Sequence, residues 1–436
     1  MDDLGSHLCR AGTLREDELS SRLLNILVVS QYFWPETFRI NDLVEGLKDR
    51  GHDVTVLTGK PNYPDGSFFA GYGFLRPVRE EYKGVSVVRA PLTPRGSGRG
   101  PALVVNYLSF ALFSSLLGPL LCRGRFDLIF VYEPSPVTVG LPAMVMKKIK
   151  KAPILFWVQD LWPESLSATG AVRSERVLSL VTKVVRYIYR GCDRILVTSK
   201  GFIPRVEAVG AAPKKIRYWP QWAETLYSPV ELETDAPEKK EAPFGFRIMF
   251  AGNVGAAQSF ETILGAAKKL EEYPDIRWII LGDGRRRKWV EDRVVELGLE
   301  ERVRLLGKRP MEVMPRYFAL ADALLVTLRR DPIFSLTIPG KVQSYLACGR
   351  PIVAALDGEG ARVIEESGAG VTAPAEDEDA LVAAVLSLYQ TSPEEREALG
   401  RRGRAYFEEH FEREKLLDRL EGWIEELVGG ESNCVS

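Results

Sequence analysis

Histidine is nearly missing from this 436-residue chain, which has only His7, His52 and His410. That excludes most histidine-built metal centres and catalytic triads. Cysteine is also sparse: Cys9, Cys122, Cys192, Cys348 and Cys434 are scattered, odd in number and without a Cys-x-x-Cys pair. A disulfide framework or a zinc ribbon is therefore not expected, and a reduced cytosolic compartment is. Charge of one sign is lacking too. With 58 basic and 59 acidic side chains the formal charge is −1, which argues against a nucleic-acid binder working by bulk electrostatics. Residues 1–22 are polar without an apolar h-region, so they read as a tail rather than a secretory signal. No short solenoid-type repeat occurs. What remains is ordinary for a folded protein, with 45% apolar and 27% charged residues, and the length suits two or three domains.

Short apolar runs alternate with helical patterns. Strands are expected at 23–30, 53–58 and from 127, 153 and 194, with an amphipathic helix over 40–50 that Gly51 ends. The pattern breaks at 228–243, "SPVELETDAPEKKEAP", a charged stretch without apolar period that reads as an interdomain linker. It restarts with strands from 246, 277, 302, 322 and 351, and the chain closes with a long charged helical pattern over 393–427. Continuous apolar strands between helices predict an α/β fold of two doubly wound parallel-sheet halves with a cleft between them. The boundaries expected are a tail 1–22, a first half 23–227, a linker 228–243, a second half 244–404, a closing helix 405–428 and a tail 429–436.

One uncharged run, 101–122, is about long enough to cross a bilayer. The strand "FDLIFVY" follows at once and belongs to the same sheet as the strands before the run, so a span is disfavoured. A domain helix and an interfacial docking helix both remain open, and Arg95, Arg99, Arg123 and Arg125 around it suit anionic headgroups or plain solvation.

In the second half, "MFAGNVGAAQS" takes a strand through Gly252 and Asn253 into a helix, where a ligand can approach the backbone. Alone, this is equally a tight turn, and it is not the dinucleotide fingerprint. "IPGKVQSYLACG" starts a helix at Pro339-Gly340 with Lys341 in its first turn, where a basic residue opposes the helix dipole. A cation there makes sense if a phosphate shares the backbone N–H groups; otherwise it is a solvated lysine. Glu359 and Gly360 open a further helix after the next strand, and the two glycine turns together suit a nucleotide diphosphate. In the first half, "FWVQDLWPES" sets Gln159, Asp160 and Glu164 just past a strand, fit for a base or a hydroxyl-orienting group, although Asp160 can also simply cap its turn. "PETFR" sets Glu36, Thr37 and Arg39 at another strand end, His52 reads as structural, and "GDG" around Asp283 reads as a turn. No acidic pair supports a metal site.

The order "VSQYFWPE", "GHDVTVLTGKPNYPDG", "VQDLWPES", "DRILVTS", "YWPQWAE", "FAGNVGAAQS", "LGDG", "IPGKVQSYLACGRPIVA" resembles the retaining glycosyltransferases of family 4, of GT-B fold, over about residues 23–427. Within them it resembles the branch that includes fucosamine transferases of O-antigen and colanic-acid assembly. The resemblance implies a second half that binds a UDP-sugar and a first half that binds an acceptor. It implies retention at the anomeric carbon without a metal or other cofactor. The acceptor implied is a polyprenyl-diphosphate-linked saccharide at the cytoplasmic membrane face, with peripheral contact to anionic membrane over 95–125 and no nucleic-acid partner. Donor contacts fall on Gly252, Asn253, Asp283, Pro339, Gly340, Lys341, Gln343, Ser344, Glu359 and Gly360. Acceptor contacts fall on Glu36, Thr37, Arg39 and Gln159, and catalytic roles on Asp160, Glu164 and Lys341. Three departures stand out. Two glutamates that many members carry fall on Leu336 and Ser344, a histidine falls on Gln159, and a basic pair is missing from "AGNVGAAQS". A catalytically silent sugar-nucleotide-binding subunit and a UDP-sugar epimerase are the alternatives these departures leave.

Overall fold

The computed structural model describes residues 23–429 apart from 77, 99, 169–171 and 173, so the tail expectations for 1–22 and 430–436 lie outside the described residues. Fourteen strands are described. The first sheet contains β1 (Asn25–Val29), β2 (Asp53–Thr58), β3 (Arg79–Tyr82), β4 (Val85–Arg89), β5 (Leu128–Glu133), β6 (Ile154–Val158), β7 (Arg194–Val197) and β8 (Ile216–Tyr218). Its order is β3-β4-β2-β1-β5-β6-β7-β8. The second contains β9 (Phe246–Ala251), β10 (Ile276–Leu281), β11 (Val303–Gly307), β12 (Ala323–Thr327), β13 (Ile352–Ala355) and β14 (Gly370–Ala373), in the order β11-β10-β9-β12-β13-β14. By packing the chain divides into two compact units, 1–130 with 145–152 and 131–144 with 153–436.

In the first unit, β1 pairs β2 and β2 pairs β4 in parallel. The expected parallel sheet carries one additional edge strand, β3, that runs antiparallel to β4. The cause is local. Lys83 and Gly84 both take positive φ, 48° and 77°, the backbone of a two-residue hairpin turn. β3 itself, Arg-Glu-Glu-Tyr, is charged as an exposed edge strand should be. The uncharged run forms a 22-residue helix, Gly100–Leu121. Its inner face packs on the sheet, because Gly118 leaves room for Leu57 of β2 and for Met146, so it does not leave the domain to span a bilayer.

In the second unit, all pairings of the six-stranded sheet are parallel. Strand alternation sends Met249, Ile279 and Leu281 into one core and Ile248, Phe250 and Ile280 into another, so both faces are covered. The expected linker is partly ordered: Pro237–Glu241 is a helix. Its Glu238 bonds Arg316 at 2.7 Å and its Glu241 bonds Arg309 at 2.6 Å, so these charges are tertiary ties. The single closing helix is also corrected. Pro393–His410 begins with a Ser392/Glu395 capping box, and a second helix, Arg413–Gly429, follows. The break is at Phe411, which is fully buried and non-helical at φ −127°. The last helix docks by the Trp219 indole N–H on the Leu416 carbonyl at 2.8 Å and by Arg194 on Glu426 at 2.7 Å.

Candidate functional site

The carboxyl ends of β9, β10 and β11 surround a cavity of about 770 Å³. Its wall is backbone-rich. Gly252 has φ 140° and Gly282 has φ 135°, and a Cβ on Gly282 would stand 1.8 Å from the Gly252 carbonyl oxygen. Only glycine lets these two strand-end turns touch. Tyr345 of the helix Gly340–Ala347 fixes the end of β9, its hydroxyl accepting from the Ala251 N–H at 3.0 Å.

Lys341 lies in the first turn of that helix and lines the cavity. Its ammonium end is buried with no hydrogen-bond partner, 3.7 Å from the centre of the Phe250 ring and close beside Gly252. Burial alone pulls its pKa down to about 7. A desolvated amine with an unpaired N–H set at a helix start suits an anion chemically. The cavity also takes in Gly252, Asn253, Asp283 and Ser344 of the expected donor residues.

Other expected donor residues have internal roles. Pro339 is the N-cap residue and Gly340 the first residue of the Lys341 helix. Gln343 is buried, with its amide 3.0 and 3.1 Å from the Pro339 and Gly340 carbonyls. Gly360 packs against Leu356 and Pro339. Glu359 opens the helix Glu359–Ser367 after Gly358, where a Cβ would meet the Ser335 carbonyl at 2.0 Å. Its carboxylate accepts from Arg362 at 2.9 Å and from the Lys200 N–H at 3.1 Å. The hydroxyl of Ser199 donates to the Leu336 carbonyl alongside.

A second polar constellation forms past β5 and β6. The Asp160 carboxylate accepts from the Ser165 hydroxyl, which binds it into the turn before the helix Glu164–Ala168. Burial raises its pKa, against hydrogen bonds from Ser165, the Leu161 N–H and Trp162. Gln159 accepts from the Gln221 amide and keeps a buried, unpartnered amide nitrogen, and Glu164 has one buried, unpartnered oxygen. In the other unit, Glu36 is buried and accepts from the Asn62 and Tyr63 N–H groups at 2.8 and 2.7 Å. Burial lifts its pKa to about 7 against those bonds. Thr37 is exposed, and Arg39 begins the helix Arg39–Asp49.

Several residues escaped the sequence reading. Lys308 and Arg309 follow Gly307 at the end of β11 and line the cavity, a basic pair delivered by a different turn from the one where it was missed. Their signal was a Lys-Arg directly after a strand-ending glycine. Glu133, at the end of β5, is fully buried with both carboxylate oxygens unpartnered. Desolvation and then the Asp160 charge push its pKa well up, against the Asp160 and Gln159 N–H groups. The buried Tyr189 hydroxyl also lacks a partner, with Glu133 the foremost charge acting on it. A glutamate ending the run "LIFVY" was the available clue. Among the described residues no group of three His, Cys, Asp or Glu is placed to hold a metal.

With this geometry in view, two family models match the chain. One, described as a glycosyl transferase 4-like domain, covers residues 37–222, and the other, glycosyl transferases group 1, covers 245–391. WcaI of Escherichia coli (strain K12), named for glycosyl transfer in colanic acid biosynthesis, is 24% identical over 343 residues, 75% of this chain and 82% of that protein. Among solved structures, Anabaena Alr3699/HepE in complex with UDP and glucose superposes with a TM-score of 0.68 at 15% identity, covering 93% of this chain and 100% of that one. Sucrose-phosphate synthase from Thermosynechococcus elongatus gives 0.67 at 18% identity, covering 94% and 100%. At these identities the superpositions establish a shared fold, two parallel-sheet α/β domains.

Proposed function

From the premise that this chain is a glycosyltransferase of GT-B type that uses a nucleotide sugar, we propose a more definite reaction. The enzyme moves a sugar, an N-acetylated amino sugar, from UDP to a polyprenyl-diphosphate-linked saccharide in cell-surface polysaccharide synthesis. Transfer retains the anomeric configuration and needs no metal. The setting is the cytoplasm at the inner face of the plasma membrane. The UDP held by the HepE structure and the naming of WcaI for colanic acid support the donor and the pathway class. Residues 244–404 serve as the donor half and 23–227 as the acceptor half, with Glu36, Thr37, Arg39 and Gln159 assigned to the acceptor.

The observation that carries this reading is the buried, unpartnered Lys341 ammonium in a glycine-walled cavity. As the anomeric C–O bond breaks, charge develops on the β-phosphate, and Lys341 with the N–H groups after Pro339 stabilises it. The acceptor oxygen forms its bond to the anomeric carbon on the same face and passes its proton to the departing phosphate oxygen. Asp160 orients a sugar hydroxyl, with Glu164 as its neighbour in that role. The test is incubation of UDP-sugars with polyprenyl-diphosphate-linked saccharides, followed by mass spectrometry and NMR of the product. A glycolipid whose anomeric configuration matches the donor is expected, and inversion or hydrolysis alone would overturn the proposal.

A further inference from the structure

The helix Gly100–Leu121 is uncharged all round, and among the described residues only one face is packed inside the protein. Asn106, Phe110, Ala111, Ser114 and Gly118 are buried. Asn106 is tied down by the Gln31 amide at 2.7 Å and by its own bond to the Thr93 carbonyl at 2.6 Å. The opposite arc carries Val104, Val105, Leu108, Leu112, Leu116 and Leu120, which are 48–70% exposed. At about 100° per residue they fill roughly 160° of the helix surface, the arc opposite the buried residues. The patch extends beyond the helix. Phe74 stacks edge-on against Phe113 with ring centres 5.5 Å apart, and Phe74 and its neighbour Leu75 are 41% and 69% exposed.

Basic residues gather at the C-terminal end of this helix. Residues 82–126 contain no Asp or Glu and six basic residues, and Glu81 and Asp127 bound the same stretch of sequence. Arg123 and Arg125 are exposed just past the helix, Arg79 donates to the Leu121 carbonyl at its end, and Lys150 donates to the Gly124 carbonyl at 3.1 Å. A contiguous exposed apolar strip of this size marks an interaction surface. An uncharged strip that ends in exposed Arg123 and Arg125 matches the acyl boundary and anionic headgroups of a bilayer. A second copy docked through the same face would bring basic residues of the two copies together.

We propose that the Gly100–Leu121 helix, with Phe74 and Leu75, docks flat in the surface of an anionic phospholipid bilayer while its inner face stays packed on the sheet. This rests on the functional reading only in that a lipid-linked acceptor gives the docking a purpose. The test uses the full chain with vesicles of phosphatidylcholine alone or with about a third phosphatidylglycerol. Co-sedimentation is expected with the anionic vesicles, weakened by salt, and reduced roughly tenfold or more in Leu112→Glu/Leu116→Glu. A Leu112→Trp variant supplies a readout independent of that double substitution: brominated lipid should quench its added fluorescence. Equal sedimentation of wild type and double variant overturns the proposal, as does a wild-type dimer that the double variant dissociates without any vesicle binding. UDP binding by calorimetry, measured on the same samples, is expected to be unchanged, so failure here leaves the donor-site reading standing and loss of UDP binding alone would count against that reading instead.

Discussion

Lys341 and Glu133 are both buried, unpartnered ionisable groups at strand or helix ends of one unit, yet their surroundings differ in kind. Lys341 has a cavity of about 770 Å³ before it, glycine turns beside it, and burial as the cause of its lowered pKa. Glu133 has the Asp160 carboxylate beside it, which resists a second negative charge. The first arrangement lacks an anion that a ligand can supply. The second is satisfied by keeping a proton. Burial alone therefore does not define a site; an open side and a missing counter-charge do.

The largest effect should come from breaking the cationic half. Lys341→Ala is expected to lower kcat/KM about 10²–10³-fold, the range for removing a donor from developing charge, with thermal unfolding near wild type. Binding should also show a proton signature. Free Lys341, with its pKa near 7, is mostly neutral at pH 8, and a bound diphosphate raises that pKa. UDP binding at pH 8 should then be accompanied by net proton uptake, read as different calorimetric enthalpies in buffers of unlike ionisation heat. Identical enthalpies would mean that binding does not protonate Lys341. Linkage gives a companion sign for the unliganded protein. Its lysine pKa is depressed from 10.5 to about 7, so the unfolded chain binds more protons in between. That contribution makes stability rise with pH over this window, and Lys341→Met should lose the slope in urea titrations.

The carboxylate half should respond less and differently. Asp160→Asn is expected to cost about 10–100-fold in kcat if Asp160 orients a reacting group, whereas unchanged kinetics would leave it the cap of its own turn. Glu133→Gln copies the protonated form and should keep activity within about 3-fold. The raised Glu133 pKa means the folded state holds its proton after the unfolded chain has released it. Its contribution is complete below about pH 4 and declines as pH rises towards the folded pKa, so Glu133→Gln should flatten that decline in unfolding free energy. An unchanged decline would show that Glu133 ionises in the fold as it does in the unfolded chain.

This contrast also explains how far the sequence could be read. The alternation "FRIMFAG", "RWIILGDG", "RVRLLG" announced β9, β10 and β11 because strands covered on both faces must be apolar throughout. Lys341 was legible because its place after Pro339-Gly340 is local. Glu133 was not, since the carboxylate beside it belongs to another strand and nothing within "LIFVYE" discloses Asp160. Lys308 and Arg309 were missed for the same reason: their reach into the cavity depends on β11 lying beside β10. The ties made by the charged stretch at 228–243 were equally hidden, because its glutamates meet Arg309 and Arg316 about seventy to eighty residues later in the chain.

Glu359 tests the comparison from its quiet side. It has what Lys341 and Glu133 lack, with Arg362 on one flank and the Lys200 N–H on the other, within 2.9–3.1 Å. A satisfied carboxylate of this kind ties the segment after β7 to the helix Glu359–Ser367 and has no spare oxygen facing a missing partner. Glu359→Gln keeps one acceptor oxygen and loses the charge, so about 1 kcal/mol of stability should go, with turnover within roughly 3-fold of wild type. If Glu359 instead holds a hydroxyl of the donor sugar, the same substitution will raise the donor KM several-fold with little change in unfolding. Measuring both quantities on one variant separates the two roles, because a tie between segments and a ligand contact respond in opposite proportion.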